Sequence, residues 1–88
     1  MARVEIYTTM LCPYCWRAKK LLEERGAPYQ EVDVMTDGSL RAEMRQRAGG
    51  RTSVPQIFIN GQHVGGCDEL YALDHAGKLT PMLQQPAS

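Results

Sequence analysis

Eighty-eight residues are enough for one domain with a thin core and no more. Hydrophobic residues make up 43% and charged residues 23%, as in ordinary globular chains. Ten basic and ten acidic side chains cancel, which excludes the charge excess that draws a protein to nucleic acid or to an anionic membrane, and no apolar run approaches the roughly 20 residues of a membrane span.

In chain order, Arg3 to Thr8 alternates apolar and polar residues as a strand does. No basic segment, apolar stretch and cleavage site precede it, so a cytoplasmic protein is expected. Met10 to Tyr14 is a turn, and Pro13 suits the first turn of a helix. Trp16, Ala18, Leu21 and Leu22 give helical spacing from Pro13 to Arg25, and Gly26 and Pro28 stop the helix. Tyr29 to Val34 is a second strand. Thr36-Asp37-Gly38-Ser39 is a turn with a helix cap, and Leu40 to Ala48 a second helix ended by Gly49-Gly50. Val54 to Ile59 is a strand that contains Pro55, Asn60-Gly61 is a strong hairpin signal, and Gln62 to Val64 pairs back. Cys67 to Ala76 is a third helix, Leu79 to Leu83 adds a turn or two, and Gln84 to Ser88 is expected to fray.

The order β-α-β-α-β-β-α makes the first half a βαβ unit with parallel strands and a right-handed crossover. The second half is an antiparallel hairpin. The expected fold is therefore α/β: a single domain over residues 1–88, with a four-stranded mixed sheet and helices on both faces.

Cys12, Cys15 and Cys67 are the cysteines. An odd, low count is no secreted disulfide scaffold, and in a reducing compartment a Cys-x-x-Cys pair is more often catalytic or metal-binding than structural. Cys12-Pro13-Tyr14-Cys15 stands where a strand ends and a helix begins. The unpaired N–H groups and dipole of a helix opening favour negative charge there, and Arg17, Lys19 and Lys20 add positive field. Cys12 is thus the expected nucleophile. Cys15, one turn deeper, is the expected resolving thiol, less exposed and less acidic.

Such a placement helps departure more than attack. A free thiol is about 3% ionised at pH 7, so lowering its pKa by about 3 units gains roughly 1.5 decades of thiolate. The same change weakens the nucleophile by roughly 1.4 decades, whereas a stabilised thiolate leaves a mixed disulfide readily.

Three blocks together carry a family resemblance: Tyr7-Thr8 before Cys12-Pro13-Tyr14-Cys15, then Thr52-Ser53-Val54-Pro55-Gln56-Ile57-Phe58-Ile59, then Gly65-Gly66-Cys67-Asp68-Glu69-Leu70. In order and separation they resemble the dithiol glutaredoxins, from about Val4 to Leu83. The resemblance implies a thioredoxin-like fold and a glutathione-dependent thiol–disulfide oxidoreductase. Such an enzyme reduces protein disulfides and protein–glutathione mixed disulfides with Cys12 and Cys15. It implies glutathione as co-substrate, bound by Tyr14, Ser53, Val54, Pro55, Gly66, Cys67 and Asp68, and no metal.

It also implies a cis Val54–Pro55 bond, with the Val54 backbone beside Cys12 to pair with the cysteine backbone of glutathione. The N–H groups opening the third helix would hold the γ-glutamyl carboxylate and Asp68 its ammonium, though Asp68 can equally be a plain helix cap. A lysine common three positions before the first cysteine is replaced by Thr9. Gln46 and Arg47 are the candidates to meet the glycine carboxylate in its place, or else are solvated helix surface. Trp16 either shields the sulfurs, receives a protein substrate or packs. Cys67 is a small residue at a helix start, and His63 and His75 are surface residues.

The implied partners are glutathione and disulfide-bearing or glutathionylated proteins, ribonucleotide reductase and peroxidases being family possibilities, with the protein a monomer. Two rivals remain: a glutaredoxin-like donor fed by thioredoxin reductase, which would lack the acidic residue at the third helix, and a carrier of an iron–sulfur cluster shared between subunits. Cys12, Cys15, His63 and Cys67 have zinc-ligand chemistry, but their spacing is no ligand signature.

Overall fold

Alternation along β1 (Val4–Thr8) sets the two faces of the sheet. Val4 and Ile6 turn to one side and Tyr7 to the other, as side chains on a strand must. The computed structural model describes residues 1–88 and continues with α1 (Pro13–Glu24), β2 (Gln30–Asp33), α2 (Gly38–Arg47), β3 (Gln56–Ile59), β4 (Gln62–Gly65), α3 (Cys67–His75) and α4 (Leu79–Gln84). The sheet runs β2-β1-β3-β4. β1 and β2 are parallel, joined through α1, while β3 is antiparallel to both β1 and β4. The expected four-stranded mixed sheet is borne out.

So are the helices on both faces. Val4, Ile6, Ile57 and Ile59 pack against Ala18, Leu21 and Leu22 of α1, Leu70 of α3 and Leu79 and Leu83 of α4. Tyr7 and Phe58 face the other way, against Val34, Met44 and Ala48, so that α2 covers the second face. Met44 is the buried residue of α2, Leu40 packs half-buried beside the same cluster, and polar contacts described below add to their hold. No helix is long and apolar enough to cross a membrane.

Several boundaries differ from the sequence expectation for local reasons. α2 begins at Gly38 because the Asp37 carboxylate accepts from Ser39 N–H at 2.9 Å and Leu40 N–H at 3.1 Å, drawing two more residues into the first turn. β3 begins at Gln56, since Pro55 has no N–H to give a ladder. Asn60 and Gly61, with φ of 51° and 79°, make the tight turn their sequence signalled.

One expectation is narrowed and one corrected. Of the three readings of Trp16, packing falls away: the side chain is 60% exposed with Lys20 over its ring, because the buried stripe of α1 runs through Cys15, Ala18, Leu21 and Leu22 and leaves Trp16 to one side. The C-terminal tail is tied down: Asn60 Nδ2 donates to Pro86 O at 2.9 Å, and Asn60 Oδ1 accepts from Ser88 N at 3.2 Å.

Candidate active site

Cys12 is the N-cap of α1, with Pro13 opening the helix behind it. Its Sγ accepts from Cys15 N–H at 3.2 Å, the bond a serine or aspartate makes at other helix starts. The same Sγ lies 3.6 Å from Val54 O, to which the thiol donates. The sulfur thus stands between an N–H that suits an anion and a carbonyl that suits a thiol.

Cys12 is half-buried, whereas Cys15 is 1% exposed on the inner side of α1. Burial, and next the neighbouring Cys12 sulfur, push the Cys15 thiol up to about 12. Burial also pushes the Cys67 thiol up from its ordinary value. Cys15 is therefore a thiol at neutral pH, and the two cysteines of the motif differ by environment alone.

This asymmetry makes a testable statement about alkaline stability. A folded-state value above the unfolded one means that the folded chain holds the proton more tightly. The contribution is full below the ordinary value of 9.0 and is lost as pH rises from there toward about 12. The melting temperature of the reduced protein should fall across that window. The fall should be shallower in Cys15→Ala, although Cys67 adds a smaller slope of the same sign. Identical slopes would show that Cys15 is not held protonated by its surroundings.

A cleft of about 190 Å³ opens beside Cys12. Tyr14, Ser53, Val54, Pro55, Gly66, Cys67 and Asp68 line it, all seven residues assigned above to glutathione. The Val54–Pro55 bond is cis. Gly66 is glycine for space: a Cβ there would meet Pro55 O at 3.3 Å, so the two walls of the cleft approach backbone to backbone.

Arg51 and Glu69 also line the cleft, and sequence patterning missed both. Glu69 Oε1 accepts from Gly66 N–H at 2.6 Å and from Arg51 at 3.1 Å, which holds the glutamate carboxyl below its usual range, the Gly66 N–H being the larger cause. The available signal for Glu69 was its place three residues after the N-cap Gly66. For Arg51 it was a cation directly before the Thr52-Ser53-Val54-Pro55 block. Because Glu69 caps the helix, the Asp68 carboxylate has no bond within the chain and stays free at the α3 opening.

Gln46 and Arg47 do not line this cleft. Gln46 is exposed on α2. Arg47 reaches across the second sheet face, where it donates to Glu5 at 3.0 Å and to Tyr7 OH at 2.7 Å and lies 4.1 Å over the Phe58 ring. Its partners come from β1 and β3, so a local pattern in α2 carried no trace of them. Thr9 lines a separate polar hollow with Lys19 and Glu31. His63 is no plain surface residue either: it is half-buried, stacked on Phe58 and 2.7 Å from Gln56. No three His, Cys, Asp or Glu residues stand together as a ligand set for a metal.

Comparison with known proteins agrees with this geometry. The glutaredoxin family model matches residues 4–64. Glutaredoxin 3 of Escherichia coli strain K12 is 56% identical over 84 residues, covering 96% of this chain and 100% of that protein. Among solved structures, a glutaredoxin from Brucella melitensis is 54% identical, with a TM-score of 0.84 over 96% of this chain and 90% of that one. A buckwheat glutaredoxin in complex with glutathione is 38% identical, with a TM-score of 0.83 over 93% of this chain and 76% of that one. With a thiol at a helix opening, a buried partner thiol and this likeness over most of its length, the chain belongs to the glutaredoxin family, thiol–disulfide oxidoreductases of the thioredoxin fold.

Proposed function

We propose that this oxidoreductase is glutathione-dependent and acts on protein–glutathione mixed disulfides and protein disulfides. The observation that carries this is the Cys12 sulfur 3.6 Å from Val54 O, against a cleft lined by the Val54 backbone on one wall and by the charged opening of α3 on the other. Each suits one part of glutathione. Val54 offers N–H and C=O to the cysteine backbone, as a strand edge does to an added strand. The first N–H groups of α3, with Arg51 beside them, suit the γ-glutamyl carboxylate, and free Asp68 suits its ammonium.

In the first step the Cys12 thiolate attacks the glutathionyl sulfur of a mixed disulfide. The S–S bond breaks, the protein sulfur leaves and takes a proton, and Cys12 carries the glutathionyl group. A second glutathione thiolate attacks that sulfur, and glutathione disulfide forms as the Cys12 thiolate departs. On a protein disulfide, Cys12 attacks and Cys15 resolves. Once Cys12 is bonded, the part of the Cys15 rise that its sulfur causes is gone, while burial, the larger cause, remains.

The electron donor decides between this and a protein fed by thioredoxin reductase. With a disulfide substrate in excess, glutathione plus glutathione reductase should sustain turnover, and thioredoxin reductase should not. The reverse result would sink the glutathione assignment. Asp68 at the cleft favours glutathione, since a reductase-fed protein has no ammonium there to meet. The proposed setting is a reducing cytoplasm with the protein as a monomer, and ribonucleotide reductase is one candidate substrate of the disulfide-bearing class.

A further inference from the structure

Gln56 is 0% exposed, and a buried amide is costly unless each of its polar atoms has a partner. Each has one. Gln56 Nε2 donates to the Ser53 carbonyl at 3.0 Å and to Ser53 Oγ at 3.3 Å, and Gln56 Oε1 lies 2.7 Å from His63 Nε2. The direction of this relay is fixed by chemistry. A carbonyl only accepts, so Gln56 must turn its NH₂ to Ser53 and its oxygen to His63, and His63 Nε2 must carry the proton. His63 is steadied by Phe58, with ring centroids 4.9 Å apart. Neither His63 nor Gln56 lines the cleft beside Cys12.

The far end of the relay bears on that cleft. Val54–Pro55 is the cis bond of the chain, so Ser53–Val54 is trans. In a planar trans peptide the C=O and the next N–H point in opposite directions. Drawing the Ser53 oxygen onto buried Gln56 therefore turns the Val54 N–H outward, and no group of the chain accepts from it. Its neighbour, the Val54 C=O, already faces the Cys12 sulfur at 3.6 Å.

We propose that His63 and Gln56 are positioning residues: through Ser53 they aim the Val54 N–H, and so set how a peptide-like thiol lies along the loop for attack at Cys12. This rests on the assignment of the cleft to glutathione. It gives the two residues a part in recognising the substrate backbone, at one and two removes from any contact with it.

The test compares two reactions of the same sulfur. Reduced protein reacts with glutathione disulfide, which uses the Val54 edge, or with iodoacetamide, which is too small to pair with it. Gln56→Met keeps length and bulk but removes donors and acceptor. It should slow the glutathione disulfide reaction about tenfold and leave alkylation of Cys12 within about twofold. His63→Phe keeps the ring on Phe58 and loses the N–H, with about a threefold loss expected, and His63→Gln, which restores an amide donor, should recover most of it. This second pair keeps the test open should Gln56→Met fold poorly. Equal changes in both reactions, or no change in either, would overturn the positioning role, as would a His63→Gln variant no better than His63→Phe. If the unaltered protein reacts no faster with glutathione disulfide than with 2-hydroxyethyl disulfide, the assignment of the cleft itself fails and the positioning role falls with it.

Discussion

Cys12→Ser should abolish turnover of a glutathionylated peptide, while Cys15→Ser should keep activity within a few-fold of the unaltered protein. The reason lies in how differently the two sulfurs are housed. Cys12 is half-buried, its sulfur accepting a backbone N–H and lying 3.6 Å from the oxygen of Val54 in the cleft wall, whereas Cys15 is sealed on the inner side of α1 and pushed up to about 12 by burial and by its neighbour. Transfer of a glutathionyl group needs one nucleophile and one leaving group, and Cys12 serves as both. Serine at position 15 also leaves intact the N–H that Cys12 accepts, because that donor is backbone. Steady-state rates with glutathione, glutathione reductase and a glutathionylated peptide give the comparison, and mass spectrometry should find the glutathionyl adduct on Cys12 of Cys15→Ser. Equal loss in the two variants would end the division of roles.

The second large effect separates two arginines. Arg47→Ala should cost about 2 kcal/mol of stability, discounted from the figure for a fully buried pair because both partners keep some solvent contact. It removes the bonds to Glu5 and Tyr7 and the contact with Phe58, leaving α2 on the sheet through Met44, Leu40 and the Tyr7–Glu43 hydrogen bond. For a domain of this size that is a fall of about 10 °C in melting temperature. Its KM for glutathione should stay within about twofold.

Arg51→Ala should do the opposite. Its pair with Glu69 is exposed and contributes little to stability. The loss of a cation at the α3 opening should raise the KM for glutathione about fivefold. Acid titration offers a check on Arg47. The hydrogen bond from Arg47 holds the Glu5 carboxyl below its ordinary value of 4.5, so the folded state favours the ionised form. That stability is present above the ordinary value and lost as pH falls through the folded one, a loss the Arg47→Ala variant has already taken. Its stability should therefore depend less on pH in the acid range.

Much of the architecture is local and was legible in the chain. Alternation of Val4 and Ile6 with Glu5 and Tyr7 marks β1, Asn60-Gly61 marks the hairpin, and Cys12-Pro13-Tyr14-Cys15 places a thiol at a helix start. These features depend on backbone preferences and on side-chain period, which neighbours in sequence set between them. The cleft was legible by family likeness, because its walls come from three short blocks.

Other features were not legible, and each involves a partner far off in sequence. Arg47, a candidate for the glycine carboxylate or else helix surface, is held by Glu5 and Tyr7, 42 and 40 positions away. Arg51 meets Glu69 across 18 positions, and the tail is held by Asn60 across 28. His63 looked like surface until β4 paired with β3 and set it on Phe58. The sequence alone determined the elements, the reactive motif and the alternation that divides the two cores. The tertiary structure decided which charged and polar side chains serve the cleft and which only hold the fold. A side chain's electrostatic partner is whatever the sheet order β2-β1-β3-β4 brings opposite it, and that order is a property of the whole packed chain.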